Sequence, residues 1–463
     1  MLKLPDALPD ALPDAFVALM REQLGAAADA FFASYGRPRH YGLRLNSLKL
    51  AADHPLRQEL VRLFDLRPVP WCPDGYYCAE DARPGKHPFH AAGLYYIQEP
   101  SAMLPAELLG VQPGDLVLDL AAAPGGKTAQ IAARLDGQGV LVANDPHPAR
   151  VKVLAENVER LGIGNAIITN ASPETLRSRF PETFDRILVD APCTGEGMFR
   201  KEPETVLEWS PERVRATAAL QRRILRDAAA MLKPGGRLVY STCTFNREEN
   251  EETIAAFLAE HPEFRLLKEE RLWPHLHQGE GHYAALLGKG EEAAAEHRPA
   301  RSRGRGRSGK RGGPDRSAAD ALDGFLRFAA EALPGYRLPE SGTPVLFGES
   351  LYWMPQSETD GLDAADLPGL RVLRPGLHLG QWRKGRFEPA HALALACRGE
   401  MAAWTLDLPS DDPAIARYFR GESLPAPDGR KGWGLLTVGG WPLGWLKAAD
   451  GQLKNHLPKG LRR

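Results

Sequence analysis

The chain has no long hydrophobic run, few cysteines and almost no net charge, and each shortage excludes something. No stretch approaches the roughly 18 consecutive apolar residues of a membrane-spanning helix, and no basic head leads into an apolar segment of the secretory kind at the N-terminus. No membrane partner is expected. Five cysteines among 463 residues, odd in number and without zinc-like pairing, give neither a disulfide framework nor a metal site. Free thiols in a reducing cytoplasm follow, with no metal. A formal net charge of −1 says little about partners, because it averages unlike segments. Two nucleotide signatures are absent as well. There is no GxGxxG after the first strong strand pattern, and Gly126-Lys127-Thr128 lacks the earlier glycine of a triphosphate loop.

The rest of the composition, 43% hydrophobic and 25% charged, is that of a globular protein. Proline every fourth residue in LPDALPDALPDAF forbids a helix through that repeat, so 1–12 reads as a disordered leader. A helix starts near Pro13, with Phe16, Leu19, Met20, Leu24, Phe31 and Phe32 at helical spacing. Residues 13–110 read as a small α+β unit ending in a helix over Ser101 to Leu109. From Gln112 the rhythm changes: LVLDL, VLVAND, AIITN, RILVDAP and RLVYSTC are strand-like runs separated by helical stretches. That alternation predicts a Rossmann-like α/β fold with a mostly parallel, doubly wound sheet over 111–288. A further helix, NREENEETIAAFLAEHPEF, has Asn246 as its expected cap. Residues 289–320 are basic and almost free of apolar side chains, and read as a disordered linker able to hold phosphates by counterion release. Short strands with glycine turns then predict β-rich modules over 321–385 and 386–463, with Trp353, Trp382, Trp433, Trp441 and Trp445 as packing residues.

The loop AAAPGGK lies where a strand meets a helix. Small residues let a ligand approach the backbone, and helix N-terminal amides can bind a carboxylate. Asp145 ends the second strand, where a carboxylate takes ribose hydroxyls in such folds. Together these fit an adenosine cofactor with an amino-acid end, as in S-adenosyl-L-methionine. Two cysteines close later strands, Cys193 in DAPC and Cys243 in STCT. Carbon 5 of cytosine is a poor nucleophile until a thiolate adds at carbon 6, and only the thiolate reacts. Asp190, three residues before Cys193, can accept from the exocyclic amine or, if protonated, donate to ring nitrogen 3. Other readings are a non-catalytic RNA-binding factor on a retired scaffold and an exocyclic-amine methyltransferase, which usually shows an NPPY-like turn. The histidines His87, His90, His147, His275, His277 and His282 show no ligand spacing and read as structural or surface residues.

The blocks LDLAAAPGGKT, NDPHPARVKVLAENVERLG, FDRILVDAPCTGEGMFRKEPE and LVYSTCTFNREENE, in that order, resemble the Nol1/Nop2/Sun family of RNA cytosine-5 methyltransferases. The tail resembles the PUA-like RNA-binding module of the bacterial RsmF-type branch, which modifies 16S ribosomal RNA. The resemblance implies Cys243 as nucleophile and Cys193 as the residue that assists product release. Ala121, Ala122, Ala123, Pro124, Gly125, Gly126 and Lys127 would line the cofactor, and Asp145 and Arg150 would hold it. Asp190 would bridge cofactor and base, and Lys127 would also reach the cytosine. Ala121 replaces a frequent family cysteine. Ser172 stands where many members carry an aspartate that contacts the adenine amine. The implied partner is RNA, ribosomal RNA free or within the 30S subunit or its precursor, bound by a monomer.

Overall fold

The computed structural model describes residues 12–291, 316–357, 362–427 and 429–463. The leader therefore lies outside the described residues except for Leu12, and so does most of the basic linker. The linker's expected ends are corrected. Lys289 still belongs to a strand, and its ammonium donates to the carbonyls of Ala229 and Leu232. At the other end a helix runs Arg316–Ala332, because Ala318, Ala321, Phe325 and Phe328 form one buried stripe along it.

Two helices, Asp14–Leu24 and Ala28–Ser34, precede β1 (Tyr41–Leu45), β2 (Arg67–Val69), β3 (Cys72–Cys78) and β4 (Tyr95–Ile97). Then come β5 (Leu116–Asp119), β6 (Val140–Asn144), β7 (Ala166–Thr169), β8 (Phe184–Asp190), β9 (Leu232–Thr242), β10 (Phe264–Leu272) and β11 (His282–Lys289). The C-terminal part contributes β12 (Gly342–Phe347), β13 (Ser350–Pro355), β14 (Val372–Arg374), β15 (Leu377–Arg383) and β16 (Arg386–Pro389). It ends with β17 (Thr405–Leu408), β18 (Leu424–Pro425), β19 (Gly432–Val438), β20 (Trp441–Ala449) and β21 (Gln452–Asn455).

The central sheet has the order β10-β11-β9-β8-β5-β6-β7-β14. Strands β5 to β9 run parallel, while β10, β11 and β14 are antiparallel additions. Helices cover both faces, which is why the middle strands are almost continuously apolar and fully buried. The expected doubly wound sheet is thus present. Three smaller corrections accompany it. The boundary expected after residue 385 falls inside a hairpin, since Arg386 pairs with Arg383 across β15 and β16. The helix expected to start at Asn246 runs Glu251–Glu260, because the Asn246 side chain is taken up by a buried network described below. The N-terminal sheet packs against the last module, with Leu43, Phe64 and Tyr95 meeting Trp404, Tyr418 and Trp441 in one core. Of the five C-terminal tryptophans expected to pack, Trp441 and Trp445 are buried; Trp445 donates to the Ala390 carbonyl. Among the described residues, no helix is long and apolar enough to cross a membrane.

The N-terminal, catalytic and C-terminal parts meet around Gly93, Arg160 and Lys49. Gly93 has φ +71°, and a Cβ there would sit 1.9 Å from the Arg160 carbonyl oxygen, so only glycine permits this approach. Lys49 is buried and donates to the Ala92 carbonyl at 2.6 Å. Burial, with the nearby Arg160 charge, pushes its ammonium down to about 7. An unfolded lysine titrates near ~10.4. Between these pH values the unfolded chain binds the extra proton, so stability should rise with pH from about 7 upward. Lys49→Met should lack that slope. Urea midpoints of wild type and variant, compared at pH 7 and pH 9.5, check this: a pH-independent difference would mean that Lys49 stays charged in the folded protein.

Candidate active site

Every parallel strand of the central sheet delivers its C-terminal end to one side, and the candidate residues collect there. The first loop leaves β5 through Leu120 to Pro124 and enters the helix Gly126–Leu135. It is held by backbone and side chain together. The Ala122 amide donates to the Asn144 carbonyl at 2.7 Å, and the Ala123 amide to Asp145 Oδ2 at 3.3 Å. Arg150 donates to the Ala123 carbonyl at 2.5 Å and Asn157 to the Pro124 carbonyl at 2.9 Å. Gly125 has φ +113°, and a Cβ there would sit 3.1 Å from Leu154. A side chain on Gly126 would crowd Tyr96 at 3.0 Å. Small residues are therefore required by the packing as well as suited to a ligand.

Three carboxylates stand at successive strand ends. Asp119 is fully buried; Oδ2 accepts from Thr128 Oγ1 at 2.7 Å, while Oδ1 has no partner among the described residues. Burial pushes its carboxyl up to about 7. Asp145 is also fully buried. Oδ1 accepts from the His147 amide at 2.8 Å, and Arg150 lies 3.7 Å from Oδ2. Asp145 and Arg150 thus shape the loop directly. Ser172 does something different: its hydroxyl caps the helix Pro173–Arg179 by accepting from the Thr175 amide at 3.2 Å.

Asp190 is the third carboxylate and the centre of the reactive cluster. Lys127 Nζ lies 2.7 Å from Oδ2, Ser241 Oγ donates to Oδ1 at 2.8 Å, and His282 Nε2 is 3.6 Å from Oδ1. Burial alone would raise the Asp190 carboxyl, but Lys127 and His282 outweigh it and hold the group well below the usual carboxylate range. Lys127 is held above its ordinary value in turn, since the Asp190 charge overcomes the effect of burial. The acceptor form of Asp190 is therefore the form present at neutral pH.

Cys193 and Cys243, fifty positions apart, have their sulfurs 3.3 Å from each other, and both are free thiols. β8 and β9 are parallel neighbours, so loops leaving their ends must run side by side. The hydrogen bond to Cys243 raises the Cys193 thiol well above its ordinary value; burial and the charges of Cys243 and Glu249 push the same way. Aromatic packing backs these loops, with Phe16 and Phe31 of the N-terminal helices against Phe199, Trp209 and Phe245.

Sequence reasoning placed His282 among structural or surface residues, and the structure overturns the surface part of that reading. His282 is buried beside Asp190, and neither ring nitrogen has a hydrogen-bond partner among the described residues. Burial pushes its imidazolium down. The signal was available: HYAALLGK is an apolar run, and as β11 it lies antiparallel to β9 with Tyr283 opposite Thr242. Ser241, Thr194 and Glu249 were also missed, each adjacent to or near a residue already singled out.

A small-residue loop after the first strand, with acidic side chains at successive strand ends of a mostly parallel sheet, defines a Rossmann-like methyltransferase. A methyltransferase homologue protein from Pyrococcus horikoshii has this fold: TM-score 0.53, 29% identity, 62% of this chain and 100% of that one covered. Family models match along the sequence: the N-terminal domain of 16S rRNA methyltransferase RsmF over 12–100, 16S rRNA methyltransferase RsmB/F over 106–288, the RsmF first C-terminal domain over 327–397, and the RsmF PUA domain over 405–463. The ribosomal RNA small subunit methyltransferase F of Cronobacter sakazakii is 34% identical across 97% of this chain and 96% of its own length. That of Shewanella amazonensis is 34% identical across 94% of each. The chain belongs to the RsmF family of 16S rRNA methyltransferases.

Proposed function

We propose that this protein methylates carbon 5 of a cytosine in 16S ribosomal RNA through a covalent cysteine–cytosine adduct. The observation that carries the reading is the pair of thiols 3.3 Å apart beside the Lys127–Asp190 ion pair. The loop Ala121 to Lys127, with Asp145, Arg150 and Asp190, would hold S-adenosyl-L-methionine. The fit rests on the unpartnered buried oxygen of Asp119 at the strand end from which this loop leaves. When bound, that cofactor supplies an electrophilic methyl group.

The chain's own residues account for the remaining steps. Cys243 as thiolate adds to carbon 6 of the flipped cytosine. The S–C6 bond forms, and the displaced π pair makes carbon 5 nucleophilic. Asp190, kept ionised, accepts from the exocyclic amine and so disfavours uracil, which has a carbonyl there. After methylation the carbon 5 proton must leave. Its electron pair re-forms the C5–C6 double bond as the S–C6 bond breaks, and Cys193, 3.3 Å away, passes its own proton to the leaving Cys243 sulfur and takes the carbon 5 proton in its place. Flipping the base costs a few kcal/mol in a duplex and less in an open loop, and the C-terminal modules would supply backbone and shape contacts to the RNA.

Methyl-labelled cofactor incubated with 16S ribosomal RNA, followed by digestion to nucleosides, tests the reading. 5-Methylcytidine is the expected product. A methyl on the exocyclic nitrogen would replace this mechanism with amine methylation, and tight RNA binding without incorporation would point to a non-catalytic factor.

A further inference from the structure

Behind the two thiols lies a buried polar network that the reaction above does not use, and Glu249 is its hub. Glu249 Oε2 accepts from the Thr194 amide at 3.0 Å and from Gln221 Nε2 at 2.8 Å. Oε1 accepts from Thr194 Oγ1 and from Asn246 Nδ2, the latter at 2.8 Å. Burial raises this carboxyl above its usual range, while the donors from Thr194 and Asn246 pull the other way; the backbone N–H and side-chain amide groups can only donate, and so favour its acceptor, charged form. Among the described residues no arginine or lysine forms an ion pair with it. Thr194 directly follows Cys193, and Asn246 lies three residues after Cys243. Glu196 ties the same two loops again, accepting from the amides of Phe245 and Asn246 and from Trp209 Nε1. The Gly197 amide donates to the Cys243 carbonyl at 2.8 Å, where a Cβ on Gly197 would collide.

Building on the covalent reading, we infer that Glu249 is a positioning residue that divides the roles of the two thiols. Its buried negative charge, fixed one residue beyond Cys193, disfavours a second negative charge on that sulfur and so keeps Cys193 out of the nucleophile's role. Charge on the other side favours the same division: the Lys127 ammonium acts on Cys243, while Glu249 acts on Cys193. The remaining titratable groups near the pair are Tyr240 on β9, Glu196 across the loops, and Asp190 and His282 at the strand ends. Tyr240 is pushed up by burial and by Glu249 and stays neutral. Asp190 is bound to Lys127. In this arrangement the choice of nucleophile is made behind the reacting atoms, by a side chain that touches neither base nor cofactor.

Peptide-resolved alkylation of the full-length protein across pH, without RNA, tests the inference in wild type, Glu249→Gln and Gln221→Leu. In Glu249→Gln the midpoint for Cys193 should fall by about one pH unit. In Gln221→Leu, where the loss of one donor makes Glu249 easier to protonate and so reduces its charge, the midpoint should fall by less. With RNA containing 5-fluorocytosine, Glu249→Gln should divide its adduct between the two cysteines. An unchanged Cys193 profile in Glu249→Gln overturns the inference; if that variant does not fold, an unchanged profile in Gln221→Leu does so. Absence of any RNA adduct alongside a shifted Cys193 profile would defeat the covalent mechanism while leaving the division of charge intact.

Discussion

Cys243→Ala should lose methyl transfer by more than about 10³-fold and form no covalent complex, because the neighbouring thiol, Cys193, is held in its neutral, unreactive form. Cys193→Ala should do something different. The thiol that adds is still present, so RNA should become attached, but the partner that completes release is gone. A protein–RNA species that resists denaturing gel electrophoresis should then accumulate. Labelled-methyl incorporation and denaturing gels on the same samples check both expectations. An adduct in Cys243→Ala and none in Cys193→Ala would reverse the assignment. The 3.3 Å separation of the sulfurs makes the contrast clean, since each substitution removes one of two neighbouring atoms and leaves the loops laced by Glu249 and Glu196.

Lys127→Met should be the most damaging substitution outside the cysteines. Among the described residues it leaves Asp190 with Ser241 and His282 as partners and no fixed positive charge. Breaking a fully buried pair costs about 3–5 kcal/mol. The Asp190 side chain is 32% exposed, so a stability loss of about 2 kcal/mol is expected. The carboxyl of Asp190 should move back toward the usual range. The sign follows: its folded-state value lies below that of the unfolded chain, so the pair stabilises the protein above about pH 4 and loses this effect as acid protonates the carboxylate. The difference in urea midpoint between wild type and variant should therefore be large at pH 7 and shrink below about pH 4. On the role proposed for Asp190, methyl transfer at pH 7 should fall by about 10²-fold or more, because the carboxylate loses its fixed charge partner. An unaltered rate with intact folding would remove Lys127 from the reaction.

Much of the central sheet was legible because buried parallel strands leave nearly unbroken apolar runs, and LVLDL and RILVD can be little else. The cysteines and Asp190 were legible because they close such runs, where this architecture collects ligands. Contacts across the chain were not legible. Glu249 reaches Thr194 over 55 positions, and no local periodicity signals that meeting. Asn246 looked like a helix cap because asparagine before a charged, apolar-spaced stretch usually is one. Its amide instead serves Glu196 and Glu249, so the helix begins later. The surface alternative for His282 stayed open for a similar reason: its neighbour Asp190 comes from another strand, brought close by an antiparallel addition to a parallel sheet. The shared core between the N-terminal sheet and the last module, joining Phe64 to Trp441, is likewise a tertiary fact that hydropathy cannot carry.

β14 gives the architecture one more property. It lies against β7 with Val372 opposite Thr169, and the Asn170 amide donates to the Arg371 carbonyl at 2.9 Å. Arg374 also pairs with Glu159 on the helix Pro148–Arg160. The third C-terminal strand is thus the selvedge of the catalytic sheet. A chain trimmed to residue 291 would leave a raw seam of unpaired amides and carbonyls along β7, ready to stick to another copy of itself. The two halves are woven as one cloth, so the rear modules meet the thiol-bearing sheet as a stiff frame.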